Sequence, residues 1–147
     1  DYGDPAAQCL GEQVFEYAIY PHAADWKTDG IPLRCAEYLN PPVVMEFGKG
    51  NQTGQLPLEA GSMMSFERDN VLFTGMKRSE DGRKWIVRVF NPSHEVMEDA
   101  LILFQKPKKV TEVRLDETPV AELDITEEGK VPFPIGGARI MTFAIEF

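Results

Sequence analysis

Three side chains close together in the sequence, His22, Asp25 and Trp26, form the one local group that could bind a ligand. An indole can stack on a sugar ring, while an imidazole and a carboxylate can hydrogen-bond its hydroxyl groups. An ordinary loop in which Trp26 covers the edge of a sandwich is the simpler interpretation. We therefore predict these residues as contacts to a sugar or to a neighbouring domain, and we predict no catalytic residue.

The histidines and cysteines of the sequence do not have the spacing of a metal site or of a nucleophilic catalytic motif. The two histidines, His22 and His94, are 72 positions apart (94 minus 22), and neither forms a closed zinc pattern with Cys9 or Cys35. Both cysteines are expected to be reduced and unpaired. No G-x-S-x-G elbow and no phosphate-binding glycine loop occurs. The sequence therefore predicts neither a metal site nor a bound cofactor within this chain.

The acidic residues are numerous but do not suggest a catalytic pair. Retaining glycoside hydrolysis needs two carboxyl groups about 5 to 5.5 Å apart, whereas nearly all of the 24 acidic residues fall on outer strand faces or in turns. The formal net charge of -9 repels phosphate backbones and anionic lipid. Nucleic-acid and membrane-surface roles are therefore disfavoured.

The first 60 residues show mixed signals. Residues 13–20 alternate at period two, with Phe15, Tyr17 and Ile19 on one face, which predicts a strand whose two faces are largely covered. Pro21 ends it because proline has no backbone donor. Residues 23–40 permit a short helix, residues 43–47 a brief second strand, and residues 48–61 an excursion or linker.

From residue 61 the chain predicts short strands at regular spacing with turns between them. The predicted strands span residues 63–66, 71–78, 85–90, 96–104, 111–115, 121–125, 131–135 and a last strand with Met141, Phe143, Ile145 and Phe147 on its inner face. This pattern is typical of an all-β, antiparallel β-sandwich, immunoglobulin-like or related, with the early helix as an accessory. We expect one region over residues 1–147, with a subdivision into 1–60 and 61–147, and Phe147 as a true C-terminus.

Two stretches carry a family resemblance. Residues 10–22 read LGEQVFEYAIYPH, and residues 73–92 contain a strand, the turn Glu80-Asp81-Gly82 and then IVRVFNP. The chain resembles the C-terminal region of the glycoside hydrolase family 38 α-mannosidases. The likeness covers most of the chain and is faint over residues 48–61.

The resemblance implies a fragment of a larger hydrolase. In that family the nucleophile, the acid/base carboxylate and the ligands of zinc or another divalent metal belong to an N-terminal α/β domain that this chain does not contain. The implied role is a non-catalytic β domain that packs on the catalytic domain of a retaining α-mannosidase. Its partners would be the upstream domains of the same polypeptide and, through the whole enzyme, mannose-containing glycans.

One alternative comes from the fold class alone. Sandwiches of this kind host many binding modules, so a free-standing carbohydrate-binding or protein-interaction sandwich is the second hypothesis.

No apolar run approaches the roughly 20 residues that span a bilayer, and no leader pattern is visible. The sequence therefore favours a cytoplasmic location.

Overall fold

A computed structural model describes residues 10–26, 29–45, 61–68 and 71–147. One helix, α1, spans Ile31–Leu39. The strands are β1 Met64–Phe66, β2 Leu72–Arg78, β3 Trp85–Phe90, β4 Met97–Leu103, β5 Lys109–Val113, β6 Pro119–Leu123, β7 Val131–Ile135 and β8 Ile140–Glu146. The predicted all-β class with one accessory helix is confirmed.

The strands form two antiparallel sheets. The smaller sheet has the order β1-β4-β7, and the larger has the order β2-β3-β8-β5-β6. β8 lies at the centre of the larger sheet, paired with β3 on one side and β5 on the other. Inward side chains of both sheets meet in one core, which is the arrangement of a β-sandwich.

Alternation along the strands places the core residues. In β3, Val87 and Val89 point into the core between the sheets, while Ile86 belongs to a second cluster on the outer side of the larger sheet. The rings of Phe133 on β7 and Phe143 on β8 meet edge to face, with centroids 4.9 Å apart. This aromatic pair joins the two sheets at the middle of the core.

The segment over residues 13–20 is not a strand, so the prediction for it is wrong. Phe15, Tyr17 and Ile19, which alternation assigned to a core, are more than four-fifths exposed. A strand needs a neighbour to take its backbone hydrogen bonds, and in the described chain none is paired with this segment. The alternation in the sequence finds no partner strand among the described residues.

Two other early predictions have different outcomes. The helix lies within the predicted range of residues 23–40 but begins only at Ile31. Gly30 before it takes a left-handed conformation (φ 64°), and Pro32 occupies its first turn. Val43, Val44 and Met45 form no strand and are exposed. Residues 46–47 of that predicted strand, and the predicted linker up to residue 60, lie outside the described residues.

The residues of β5 alternate between the main core and the outer side of the larger sheet. Val110 is the fully buried residue of the main core, whereas Val113 joins the outer cluster, and Leu115 is exposed beyond the end of the strand. A register shift between Glu112 and Val113 interrupts the pairing with β6. The pairing of β5 with β8 continues without a break past this point, so the irregularity lies on the β6 side.

A buried amide fixes the corner after β3. The Nδ2 group of Asn91 donates to the carbonyl oxygens of Glu95 (2.8 Å), Ile135 (3.2 Å) and Gly136 (3.0 Å). Its Oδ1 accepts from the backbone N–H of Ser93 at 2.9 Å. The predicted turn at Asn91-Pro92-Ser93 therefore also ties β3 to the end of β7.

Candidate functional site

The loop after residue 21 is closed by hydrogen bonds. His22 Nδ1 donates to the carbonyl oxygen of Ala24 at 2.7 Å and lies 3.5 Å from Asp29 Oδ2. The same carboxylate oxygen accepts from the backbone N–H of Ala24 at 3.1 Å. Because Nδ1 carries the proton toward a carbonyl, Nε2 of the neutral ring bears the lone pair.

The backbone of the same loop runs directly into the helix. The carbonyl oxygen of Asp25 accepts from the N–H of Asp29 (3.0 Å), and that of Trp26 accepts from the N–H of Ile31 (3.2 Å). These bonds hold His22, Asp25 and Trp26 on one compact turn. The structure thus places the three predicted residues in one loop.

Sequence reasoning missed Asp29. Its carboxylate orients His22 and closes the loop by accepting the N–H of Ala24. An aspartate directly before Gly30 and a helix-starting proline was the available signal, since aspartate caps turns and helix starts with its side chain. Trp26 is about half exposed, so it covers the neighbouring surface only in part.

Four carboxyl groups among the described residues have a clearly shifted pKa. The carboxyl groups among them with a shifted pKa are all shifted down, and a general acid needs a pKa that is raised. In each case a hydrogen bond is the largest cause. Lys130 lowers the pKa of Glu67 in this way, and Lys77 lowers the pKa of Glu117. The Ser79 hydroxyl lowers the pKa of Asp81, and the backbone N–H of Thr118 lowers the pKa of Asp116. These groups are ionised partners in surface contacts.

Asp99 is the charged residue that is buried among those described, and its role is structural. Its Oδ1 accepts from the backbone N–H groups of Arg68 (3.0 Å) and Ala100 (2.7 Å). The carboxylate thereby holds the chain after β1 against β4. Backbone donors directed at a carboxylate satisfy its charge.

No group of three His, Cys, Asp or Glu side chains in the described part of the chain could hold a metal ion. The zinc or other divalent ion that the family resemblance implies therefore finds no fitting ligands here. Cys35 is exposed and free, while Cys9 lies outside the described residues. Among the described helices, none has the length and apolar character to cross a membrane.

Two concave surfaces of the described residues differ in character. A groove of about 680 Å³ near the β5–β6 hairpin is lined by opposite charges, Arg114 and Arg139 against Glu112 and Asp116, together with exposed apolar side chains. A second cleft between the sheets, beside Met63 and Phe104, holds only about 30 Å³. A groove that balances charges around apolar side chains suits contact with another protein surface.

A loop of the β5–β6 hairpin is tied to the β2–β3 hairpin. The backbone of Glu117 is left-handed (φ 66°), and its side chain pairs with Lys77 Nζ (2.8 Å) and accepts from the N–H of Glu80 (3.0 Å). Lys77 also pairs with Glu80 at 2.8 Å. This network lies beside the outer cluster of Ile86, Val113 and Ala144.

The sandwich, with ion-paired surface carboxylates and no assembled catalytic group among the described residues, is typical of a non-catalytic β domain. Residues 70–143, half of the chain, match the family described as the glycosyl hydrolases family 38 C-terminal beta sandwich domain. The chain belongs to this family. The resemblance seen in the sequence is thereby confirmed.

A curated relative extends the comparison. A protein of Halalkalibacterium halodurans named "Putative mannosylglycerate hydrolase" is 28% identical to the chain over 91 residues. The match covers 62% of this chain and 10% of the relative. The chain therefore spans about a tenth of the length of that relative.

Proposed function

We propose that this chain is the non-catalytic C-terminal β domain of an enzyme that hydrolyses α-mannosidic bonds, and that it packs on and supports a catalytic domain carried elsewhere in the polypeptide. The single observation that carries the proposal is the set of exposed apolar side chains within residues 10–26 and 29–45, which precede a sandwich of the family 38 C-terminal type. Apolar side chains exposed along one stretch of chain are typical of a surface that contacts another protein surface.

The chemistry in this proposal belongs to the rest of the enzyme. Its carboxylates, its zinc or other divalent ion and its contacts to mannose-containing glycans would lie in the upstream domains. The sandwich would contribute rigidity and an interdomain surface. The loop with His22, Asp25 and Trp26 is proposed as an interdomain contact or as part of the rim of the sugar-binding cleft.

Two classes of substrate are compatible with the proposed enzyme. The family resemblance favours α-mannosides of glycans, and the name of the Halalkalibacterium halodurans relative adds mannosylglycerate. Both contain an α-mannosyl group, so one enzyme preparation can be assayed on both.

Two measurements test the function. The 147-residue chain is expected to release no product from an aryl α-mannoside or from mannosylglycerate, with or without added zinc. The longer polypeptide is expected to hydrolyse one of them and to lose thermal stability and activity when residues 61–147 are deleted. Turnover by the 147-residue chain that persists after chelation and repurification, or a longer enzyme indifferent to the deletion, would contradict the proposal.

Exposure of Trp26 favours a second candidate, a carbohydrate-binding sandwich. An NMR titration of the chain with mannose oligosaccharides separates the two. Shifts clustered at His22, Asp25 and Trp26 would favour binding by the isolated chain. An absence of shifts at millimolar sugar would favour the supporting role.

A further inference from the structure

The groove near the β5–β6 hairpin has two walls that carry the same kind of residue pair. On one wall, directly after β5, Arg114 is followed by Leu115. On the other wall, Arg139 is followed by Ile140 at the start of β8. Leu115 and Ile140 keep 64% and 55% of their surface exposed. Each wall therefore presents a cation beside an uncovered apolar side chain.

The base of the groove is formed by two strands of the larger sheet. Val113 and Thr142 lie opposite each other in the β5–β8 pairing, and both are buried. Thr142 Oγ1 also accepts from Arg88 Nε at 3.2 Å. The walls are half exposed, so a small molecule in this volume of about 680 Å³ would stay largely in water. A peptide segment, which is larger, can cover both walls at once.

The guanidinium groups of the two walls are not committed to partners in the described part of the chain. There, neither Arg114 nor Arg139 forms a side-chain hydrogen bond or an ion pair. Asp116 beside them accepts from the N–H of Thr118 at 3.0 Å, and its pKa is lowered first by Thr118 and only last by the charge of Arg114. Glu112 also lines the groove. Two positive charges are thus opposed by one carboxylate that has no hydrogen bond in the described chain.

The lysines on the neighbouring part of the same sheet differ from these arginines because each has a carboxylate in contact. The pairs are Lys77 with Glu117 (2.8 Å), Lys84 with Glu146 (2.9 Å) and Lys109 with Glu122 (2.8 Å). In a chain with a formal net charge of -9, two cations that share a groove without such a contact indicate a partner that supplies carboxylates. At physiological salt the net charge does not prevent this, because charges farther away than about 8 Å are largely screened.

The backbone of both walls is held in place before any partner binds. The carbonyl oxygen of Arg114 accepts from the N–H of Glu117 (3.0 Å), and that of Arg139 accepts from the N–H of Asn91 (2.9 Å). Ala138, which also lines the groove, has a left-handed backbone (φ 50°) although it is not a glycine. Such strained residues cluster at binding sites, and a surface that is already ordered loses less entropy on binding.

We propose that this groove binds an acidic segment of a separate protein, in which apolar side chains lie between two carboxylates. The carboxylates pair with Arg114 and Arg139, and the apolar side chains cover Leu115, Val120 and Ile140. Charge-assisted hydrogen bonds from guanidinium groups give such a contact both strength and direction. The lining residues all lie between positions 112 and 142, within the sandwich. The inference therefore goes beyond the supporting role and does not rest on it.

An NMR titration with the acetylated and amidated peptide Glu-Leu-Leu-Glu tests the site. The 147-residue chain is expected to bind this peptide with a dissociation constant below about 1 mM, with shifts clustered at the groove. The peptide Gln-Leu-Leu-Gln, which has the same shape without the charges, should bind at least about tenfold more weakly. Absence of shifts with the acidic peptide, equal binding of the two peptides, or the same shifts with sodium acetate alone would overturn the proposal.

Substitutions of single arginines provide a matched comparison. Arg114→Gln and Arg139→Gln should each weaken binding of Glu-Leu-Leu-Glu by about tenfold or more, since each removes one charged donor. Arg83→Gln is the control, because Arg83 is exposed in the β2–β3 turn and does not line the groove. All three variants should keep the thermal midpoint of the wild type. Equal binding by all three variants would place the peptide elsewhere.

A reversal of charge keeps the test decisive if a single substitution has only a small effect. The double variant with Arg114→Glu and Arg139→Glu should lose binding of Glu-Leu-Leu-Glu and should bind Lys-Leu-Leu-Lys instead. A double variant that still prefers the acidic peptide would contradict the assignment of both arginines.

The longer polypeptide separates this inference from the supporting role. Because the partner is a separate protein, the longer polypeptide should bind Glu-Leu-Leu-Glu about as tightly as the 147-residue chain. Binding that is present in the 147-residue chain and absent from the longer polypeptide would mean that the enzyme's own domains cover the groove. That result would overturn the inference and would leave the supporting role intact.

Discussion

At the scale of single residues, stability concentrates at positions that carry backbone hydrogen bonds or allow close approach. Asn91 is fully buried and uses both ends of its amide, so it replaces ladder hydrogen bonds where β3 ends. Gly137 lies against the backbone of His94 on the neighbouring turn. Together they hold the β3–β4 and β7–β8 connections in contact.

Asn91→Ala should lower the free energy of unfolding by about 3 kcal/mol, because it leaves several buried backbone groups without a partner. Urea titration measures the change. Asn40→Ala is the matched control, since the amide of Asn40 is exposed and bonds only the carbonyl oxygen of Ala36. The control should cost less than about 1 kcal/mol, and equal losses would contradict the assignment.

Gly137→Ala should also destabilise the sandwich. A Cβ at this position would fall on the carbonyl oxygen of His94, so backbone must move, at a cost of roughly 2 to 4 kcal/mol. At Gly75 nothing lies within 4 Å of an added Cβ. Thermal unfolding should therefore show a lower midpoint for Gly137→Ala and little change for Gly75→Ala.

Glu117 predicts a pH dependence. Hydrogen bonds from Lys77 and from the N–H of Glu80 lower the pKa of Glu117 below its ordinary value of 4.5. A depressed carboxyl pKa stabilises the folded protein above the unfolded pKa, and that stabilisation is lost as the pH falls through the folded pKa.

The comparison of wild type with Glu117→Gln tests this dependence. The difference in unfolding free energy between wild type and Glu117→Gln should be constant from pH 6 to pH 8. It should shrink as the pH falls below about 4.5. Glu98→Gln on β4 serves as a control for the loss of one negative charge. A difference that does not vary with pH would rule out the ion pair as its source.

At the scale of the elements, the sequence predicts those strands that find their partners within the chain. β3 and β7 have the predicted bounds, because tryptophan, valine, isoleucine and turn residues agree locally with their place in the sheets. Residues 13–20 carry the same kind of signal, but no strand in the described part of the chain pairs with them. The bulge after Glu112 depends on the pairing with β6, which no local pattern encodes.

The candidate site was predictable only in part. The proximity of His22, Asp25 and Trp26 could be inferred because all three precede one helix. The role of Asp29 depends on a loop that brings its carboxylate back to Ala24. Long-range contacts such as Glu117 with Lys77 arise from tertiary packing, so alternation and turn chemistry do not reveal them.

The aromatic pair between the sheets predicts a large effect of truncation. Phe133→Ala removes one ring of the edge-to-face contact with Phe143 and should cost about 3 to 5 kcal/mol, because it opens a cavity in the core. Phe15→Ala makes the same change at an exposed position and should cost less than about 0.5 kcal/mol in the 147-residue chain. Chemical denaturation followed by tryptophan fluorescence compares the two, and similar losses would contradict the placement of the core.

At the scale of the whole molecule, we propose that the chain divides near residue 61 into an early segment and the sandwich. The position of the core supports this division. Each buried hydrophobic residue among those described lies between Val71 and Ile145. The exposed apolar side chains of residues 10–45 add nothing to that core. We therefore expect the sandwich to fold without the first 60 residues.

A chain of residues 61–147 should accordingly unfold cooperatively at a midpoint within a few degrees of that of the full 147 residues. It should also bind less of a dye that reports exposed apolar surface, because the segments with exposed Phe15, Ile19 and Val44 are gone. Circular dichroism and dye fluorescence measure the two properties. A shortened chain without a cooperative transition would show that the first 60 residues belong to the folding unit.

The central position of β8 has a consequence for synthesis on the ribosome. β3 and β5 are neighbours of β8 and not of each other, so neither can complete its ladder until the residues of β8 have left the exit tunnel. Translation at about 5 to 20 residues per second leaves the earlier strands waiting for several seconds. The larger sheet should therefore close only once β8 has emerged, and until then the nascent strands depend on their short and proline-bearing edges to avoid aggregation.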